Sequence, residues 1–221
     1  MDYTTPELVN AFKSDRLEYI KADKLDTNLQ KFVPLILQDP VIMAMNSPGM
    51  LLPTGQKEVD SYIQSVADSL LGVAICLKDE PSTTSEQESD GDTEKTPTII
   101  GIMCIGWGGI SPSTAHHRNA EIGICLAKPH QGKGYGREAI NWVLDWGFRH
   151  AGLHSIGIST ASYNSRAEYL YQSMGFKFEG KRRDTIWQNR GWHDLVMFGM
   201  TEYEWESLRG IASSSHTQNS K

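Results

Sequence analysis

The sequence predicts one mixed α/β domain, a central sheet of six to seven strands flanked by helices. Strand-like and helix-like segments alternate irregularly, and the strand-like ones cluster in the middle of the chain. One apolar strand runs directly into a loop with three glycines and then into an amphipathic helix. The length, 221 residues, suits one domain and is enough to bury a core without disulfide or metal staples.

Taken in order, residues 1–13 read as a polar lead-in and 14–209 as the domain. Arg16–Lys21 alternates in the manner of a first strand. Leu25–Leu37 has helical spacing through Leu29, Phe32, Val33, Ile36 and Leu37, with Asp26 or Thr27 as its cap. After the loop NSPGMLLPTGQ the helical period returns over 57–71 through Val59, Tyr62, Ile63, Val66 and Leu70. From Gly72 the chain turns strand-like in GVAICL, TIIGIMCIGWGG and Asn119–Ala127. The glycine loop and a helix through Phe148 follow, then the strand HSIGIST, a helix over 165–174, the strand GFKFEGK and a last strand around LVMFGMTEY. Residues 210–221 read as a disordered tail.

Composition narrows the function classes. The chain is 39% hydrophobic and 22% charged, ordinary for a globular protein. No run approaches the roughly 18 apolar residues of a membrane span, so no membrane role is expected. Cys76, Cys104 and Cys125 are too few and too scattered for a disulfide framework or a zinc site, which points to a reducing, cytoplasmic location, with the nucleus also compatible. The net charge is −6, yet residues 79–98 alone hold seven acids and one base. Taking them from the 27 acids and 21 bases of the whole chain leaves 20 of each. The remainder is neutral and shows no basic stripe, so no nucleic-acid partner is expected. The acidic segment lacks large apolar residues and reads as a disordered insertion between two strands.

The stretch EIGICLAKPHQGKGYGREAINWVLDWGF, residues 121–148, carries the chemistry. Without Cβ atoms at Gly132, Gly134 and Gly136, successive backbone N–H groups can converge on one point. The helix start adds unpaired N–H groups and the positive end of its dipole. Lys133 and Arg137 put cations at the rim, and the whole suits a phosphate or pyrophosphate. A Walker loop is absent. Gly134-x-Gly136-x-x-Ala139 matches a relaxed dinucleotide fingerprint, but no acid stands at the end of the next strand, Ile158-Ser159-Thr160.

Gln131-Gly132-Lys133-Gly134-Tyr135-Gly136 resembles the Q/R-x-x-G-x-G/A motif of the GNAT superfamily of acyl-CoA-dependent N-acetyltransferases. Asn164-Ser165-Arg166-Ala167, Leu170-Tyr171 and Met174-Gly175-Phe176 resemble that family's second block, N-x-x-A-x-x-x-Y-x-x-x-G-F. Ser14-Asp15-Arg16-Leu17 resembles the T-x-R-L opening of the branch holding ribosomal-protein N-terminal and spermidine acetyltransferases. The resemblance covers roughly residues 14–205, apart from the acidic insertion. It implies a GNAT fold whose sheet splays between its fourth and fifth strands. It implies acetyl-CoA as co-substrate, no metal, and a primary amine as acceptor, either a peptide N-terminus or a small amine such as a polyamine. A homodimer is compatible with it, and a non-catalytic acyl-CoA sensor is the alternative.

Residue by residue, the resemblance puts pantetheine along Ile124, Cys125 and Leu126. The diphosphate falls on Gln131, Gly132, Lys133, Gly134, Tyr135, Gly136 and Arg137, with Asn164 and Tyr171 also at the cofactor. Tyr171 would protonate the departing thiolate, although its i, i+3, i+4, i+7 companions also make it a packing residue. Asn164 would serve catalysis and CoA, and stands where an N-cap belongs. Glu121 is the candidate base or a solvated strand-end carboxylate. A thiol relay through Cys125 is the less favoured route. His116 and His117 read as an exposed turn. Trp142, Trp146, Trp187, Trp192 and Trp205 either shape an acceptor pocket or pack.

Overall fold

The computed structural model describes residues 6–78 and 97–211. Among them, seven strands form one sheet in the order β1-β2-β3-β4-β5-β7-β6. The strands are β1 (Leu17–Lys21), β2 (Leu71–Leu77), β3 (Thr98–Ile105), β4 (Asn119–Leu126), β5 (Ser155–Ala161), β6 (Lys177–Gln188) and β7 (Gly191–Thr201). The helices are α1 (Pro6–Val9), α2 (Thr27–Leu37), α3 (Pro40–Asn46), α4 (Gln56–Ala67), α5 (Tyr135–Arg149), α6 (Ser165–Ser173) and α7 (Glu202–Arg209).

The central strands are apolar without interruption because both of their faces are covered. In β2 and β3, Val73, Ile75, Met103 and Ile105 point to one face, where they meet Ile140, Val143 and Leu144 of α5. The alternate residues Ala74, Cys76, Ile102 and Cys104 point to the other, against Leu29, Val33 and Ile36 of α2 and Ile63 and Val66 of α4. A period of two thus sorts one continuous apolar run into two cores. Cys125 of β4 is buried in the α2–α4 core.

All neighbouring strands are antiparallel except β4 and β5. That parallel pair is short, with Asn119, Ala120 and Glu121 opposite Ser155, Ile156 and Gly157. Beyond Glu121 the two strands part, so β4 presents residues 122–126 with no strand partner on that side. The expected splay between the fourth and fifth strands is therefore present, and Glu121 stands at the fork.

Several boundaries differ from expectation. Helix α3 lies in a stretch with no assigned element. Asp39 accepts N–H bonds from Val41 and Ile42 at 2.9 and 3.1 Å, and Pro40 occupies the first turn. Helix α4 ends at Ala67, which leaves Leu70 outside the stripe and exposed. The last strand stops at Thr201, because Thr201 and Glu204 close a capping box and start α7. Strand β6 continues past GFKFEGK to a two-residue turn whose Asn189 and Arg190 have φ of 47° and 62°. Hairpin turns of that kind usually carry glycine, so this one gives little warning in the sequence.

The expected lead-in is tied to the domain over its described part. Trp142 Nε1 donates to Ala11 O at 2.9 Å, and Tyr19 N donates to Phe12 O at 2.9 Å. At the other end Gly210 caps α7 and Ile211 packs on the α5-side core, while residues 212–221 lie outside the described ones. Of the acidic insertion expected over 79–98, Thr98 opens β3 and 79–96 lie outside the described residues. No helix among the described residues is long and apolar enough to cross a membrane.

Candidate active site

A groove of about 1110 Å³ runs through the fork and is walled by residues from both faces of the sheet. Ile122, Ile124, Leu126, Ile140 and Tyr171 come from the α5 side, and Ile102, Cys104, Cys125 and Tyr62 from the α2–α4 side. One end reaches the glycine loop and the start of α6, and the other reaches α3 and Trp107.

At the glycine-loop end, Gly132 and Gly134 adopt φ of 78° and 86°, the left-handed region that glycine enters without strain. Gly134 leads directly into α5, so its turn aims the helix's first N–H groups at the groove. Gln131, Gly132, Gly134, Gly136 and Arg137 line this end, and Gln131 Nε2 is fixed by Leu126 O at 2.9 Å. Of the residues expected here, Lys133 and Tyr135 are not in the groove wall. Tyr135 instead lies beneath the Arg16 guanidinium, 4.5 Å from its ring centre. The structure adds Arg166, absent from the expected set; a Cβ on Gly132 would lie 3.2 Å from its terminal nitrogen. Its signal in the sequence is a cation in the first turn of the helix that follows Asn164. Glycine turns, a helix start and the cations Arg137 and Arg166 together fit a diphosphate.

Ser14 and Arg16 brace this loop from behind. Arg16 N donates to Glu138 Oε1 at 2.7 Å, Arg16 Nε to Glu138 Oε2 at 2.8 Å, and Ser14 Oγ to Glu138 Oε1 at 2.8 Å. Arg16 Nη1 also donates to Lys133 O at 3.0 Å. The Ser-x-Arg opening thereby couples the entry of β1 to the first turn of α5. Burial alone would raise the Glu138 carboxyl, but the Arg16 N–H, the Ser14 hydroxyl and the guanidinium together hold it below its ordinary value. A lowered carboxyl stabilises the fold above the unfolded value, about 4.3, and that contribution fades as pH falls through the folded value. The melting-temperature gap between wild type and Glu138→Gln is expected to be constant from pH 6 to 8. It should narrow in acid, as followed by calorimetry.

At the fork, Tyr171 is buried against Phe176 and Phe198, with ring centres 6.2 and 6.0 Å away. Its hydroxyl makes no hydrogen bond to any described residue and belongs to the groove wall. Burial pushes its pKa up to about 12, so the phenol stays protonated through the physiological range. Glu121 also lines the groove, with its side chain lying over Gly157 of β5, where a Cβ would come within 3.2 Å of Glu121 Cγ.

Asn164 does structural work on both sides. Its Oδ1 accepts from Ala167 N at 3.3 Å as the cap of α6, and its Nδ2 donates to Met45 O at 3.3 Å. Tyr163 Oη donates to Ala44 O at 2.5 Å. The two residues tie α3 across the fork.

Cys125 lines the groove, but burial, with the Asp39 charge adding to it, pushes its thiol up to about 12. A thiol so held is a poor nucleophile. Cys125→Ala is accordingly expected to keep turnover within about fivefold in an initial-rate assay, whereas a thiol relay would lose it by orders of magnitude.

The tryptophans separate cleanly. Trp142 stacks on Tyr19 at 3.6 Å and Trp205 packs 5.4 Å from Phe148, both buried. Trp146 packs on the α5-side core, and Trp187 and Trp192 pair with each other on the β6–β7 hairpin. The tryptophan in the groove is Trp107, 5.3 Å from Tyr62, which was not among those expected there. His116 and His117 are exposed in a short 3₁₀ turn, and no metal-binding cluster occurs among the described residues.

Comparison with known proteins bears on the family and the fold. A family model described as an acetyltransferase (GNAT) domain matches residues 16–177. Spermidine N(1)-acetyltransferase of Vibrio cholerae is 39% identical over 79 residues, 36% of this chain and 46% of that protein. A putative ribosomal N-acetyltransferase of Bacillus subtilis is 34% identical over 90 residues, 41% of this chain and 49% of that one. The chain thus matches about half the length of these relatives. Among solved structures, spermidine N-acetyltransferase from Vibrio cholerae in complex with CoA and spermine superposes with a TM-score of 0.66. It is 22% identical and the match covers 87% of this chain and 99% of that one. An acetyltransferase (GNAT family) from Bacillus anthracis gives 0.64 at 18% identity, covering 87% and 98%. At these identities the structural likeness is one of fold.

Proposed function

The chain belongs to the GNAT acetyltransferase family, and from that premise we propose that it transfers an acetyl group from acetyl-CoA to a primary amine. One observation carries the proposal: a single groove joins a diphosphate-shaped glycine loop to a fork between parallel strands, with a protonated tyrosine at its wall. The relatives' names offer a polyamine and a ribosomal acceptor. Both present primary amines, and the proposal is made at that level. Three buried free thiols suit a reducing compartment, and we place the protein in the cytoplasm.

Acetyl-CoA supplies the activated acyl group as a thioester. Gly132, Gly134, Arg137 and Arg166 hold its diphosphate, and the unpaired edge of β4 over residues 122–126 receives the pantetheine arm. Fixing the carrier at both places sets the carbonyl at the fork, so that attack becomes effectively unimolecular. A backbone N–H of the same edge stabilises the developing oxyanion. Glu121, directly or through water, takes the proton from the incoming ammonium. Tyr171 gives its proton to the departing sulfur as the C–S bond breaks and is reprotonated by the second proton the nitrogen sheds on becoming an amide. The tyrosine is then a donor that is not lost at neutral pH.

The test is thiol release from acetyl-CoA with a panel of primary amines and short peptides. Amine-dependent release with one acetylated amine formed per thiol supports the transferase. CoA binding without release across the panel would identify an acyl-CoA sensor instead.

A further inference from the structure

The end of the groove away from the glycine loop has a chemistry of its own, and it bears on the acceptor. The cofactor's phosphates belong on the α5–α6 side of the sheet, so the amine must enter from the α3–α4 side. Two carboxylates line the groove there, Asp39 and Glu121. Asp39 is committed to the start of α3, where one oxygen accepts two backbone N–H groups. Glu121 has no ion-pair partner among the described residues and is not committed to a helix cap, so it is the carboxylate better placed to receive an ammonium.

Around it the walls are apolar and aromatic. Trp107 is 51% exposed although it forms part of a groove, which leaves an indole face uncovered beside the fork. Tyr62 packs 5.3 Å from it and lines the same groove, with no hydrogen bond to any described residue. Met43 adds a polarizable wall, and Met50, beyond α3, is 82% exposed. Among the described residues, a second ammonium placed here would meet only Asp39, whose carboxylate is already shared with two N–H groups of α3, and a third would meet none. An apolar group would cover the indole instead.

Resting on the transferase reading, we propose that this end is an acceptor subsite for a primary amine with one positive charge beside an apolar or aromatic group. Glu121 faces the ammonium, Trp107 covers the apolar group, and the Tyr62 hydroxyl sets the orientation by hydrogen bonding. Polyamines are disfavoured by charge rather than by size.

The test is calorimetric binding of 2-phenylethylamine and of spermidine to the full chain saturated with CoA, which needs no turnover. Phenylethylamine is expected to bind at least tenfold more tightly than spermidine. Trp107→Ala should weaken phenylethylamine about tenfold, and Tyr62→Phe by a few-fold, both with CoA affinity unchanged. Trp107→Phe should keep most of the affinity, which separates lost contact from a damaged fold. Spermidine binding as tightly as phenylethylamine, or phenylethylamine indifferent to Trp107→Ala, overturns the subsite. Thiol release that fails with every amine, while this binding preference holds, overturns the transferase reading and leaves the subsite standing.

Discussion

Gly134→Glu is expected to lower CoA affinity by at least 100-fold, read by titration calorimetry. Two costs combine. The position has φ of 86°, where any side chain costs about 1–2 kcal/mol. The added carboxylate would also bring a negative charge to the loop that receives the diphosphate, and like charges in a partly enclosed site repel by a few kcal/mol. A Cβ at this position would lie 3.2 Å from the Arg16 guanidinium, so the new carboxylate also competes with Glu138 for Arg16. A fall of a few degrees in melting temperature is therefore expected beside the binding loss. Gly134→Ala carries the strain without the charge and should lose only part of the affinity. Unchanged CoA binding in the Glu variant would place the diphosphate elsewhere.

Tyr171→Phe is expected to lower kcat about 100-fold while leaving CoA affinity and the amine KM within a few-fold. The phenyl ring preserves the packing on Phe176 and Phe198, and the hydroxyl has no hydrogen bond to a described residue to lose. What disappears is the proton for the leaving sulfur, and a positioned general acid contributes 10²–10⁴-fold. A loss confined to stability, with kcat intact in the folded fraction, would make Tyr171 a packing residue. Because its pKa is raised to about 12, wild-type kcat should show no alkaline fall due to this group below about pH 11.

How much was visible beforehand depends on the range of the interaction concerned. The amphipathic stripes of α2 and α5 and the apolar runs of β2, β3 and β4 are written in periods of 3.6 and 2, which depend on near neighbours alone. The glycines of the loop announce a backbone that needs positive φ, as Gly132 and Gly134 have. The local signals for α3 and α7 also stand in the sequence, as Asp39-Pro40 and Thr201-x-x-Glu204. The Asn189-Arg190 turn had none to offer. Trp107 could not be told from the other tryptophans, because whether an indole packs or lines a groove depends on what lies across from it.

Sequence by itself determined the alternation of strands and helices, the glycine loop and the two motif blocks, since each rests on contacts within a few residues. The tertiary structure alone decided that β4 and β5 pair over three residues and then part. It also decided that Ser14 and Arg16 brace Glu138 from over 120 positions away, and that Asn164 ties down α3. It gave Tyr62, Trp107 and Glu121 a common space. Such juxtapositions come from chain segments brought together by burial of two cores, and no local pattern encodes them.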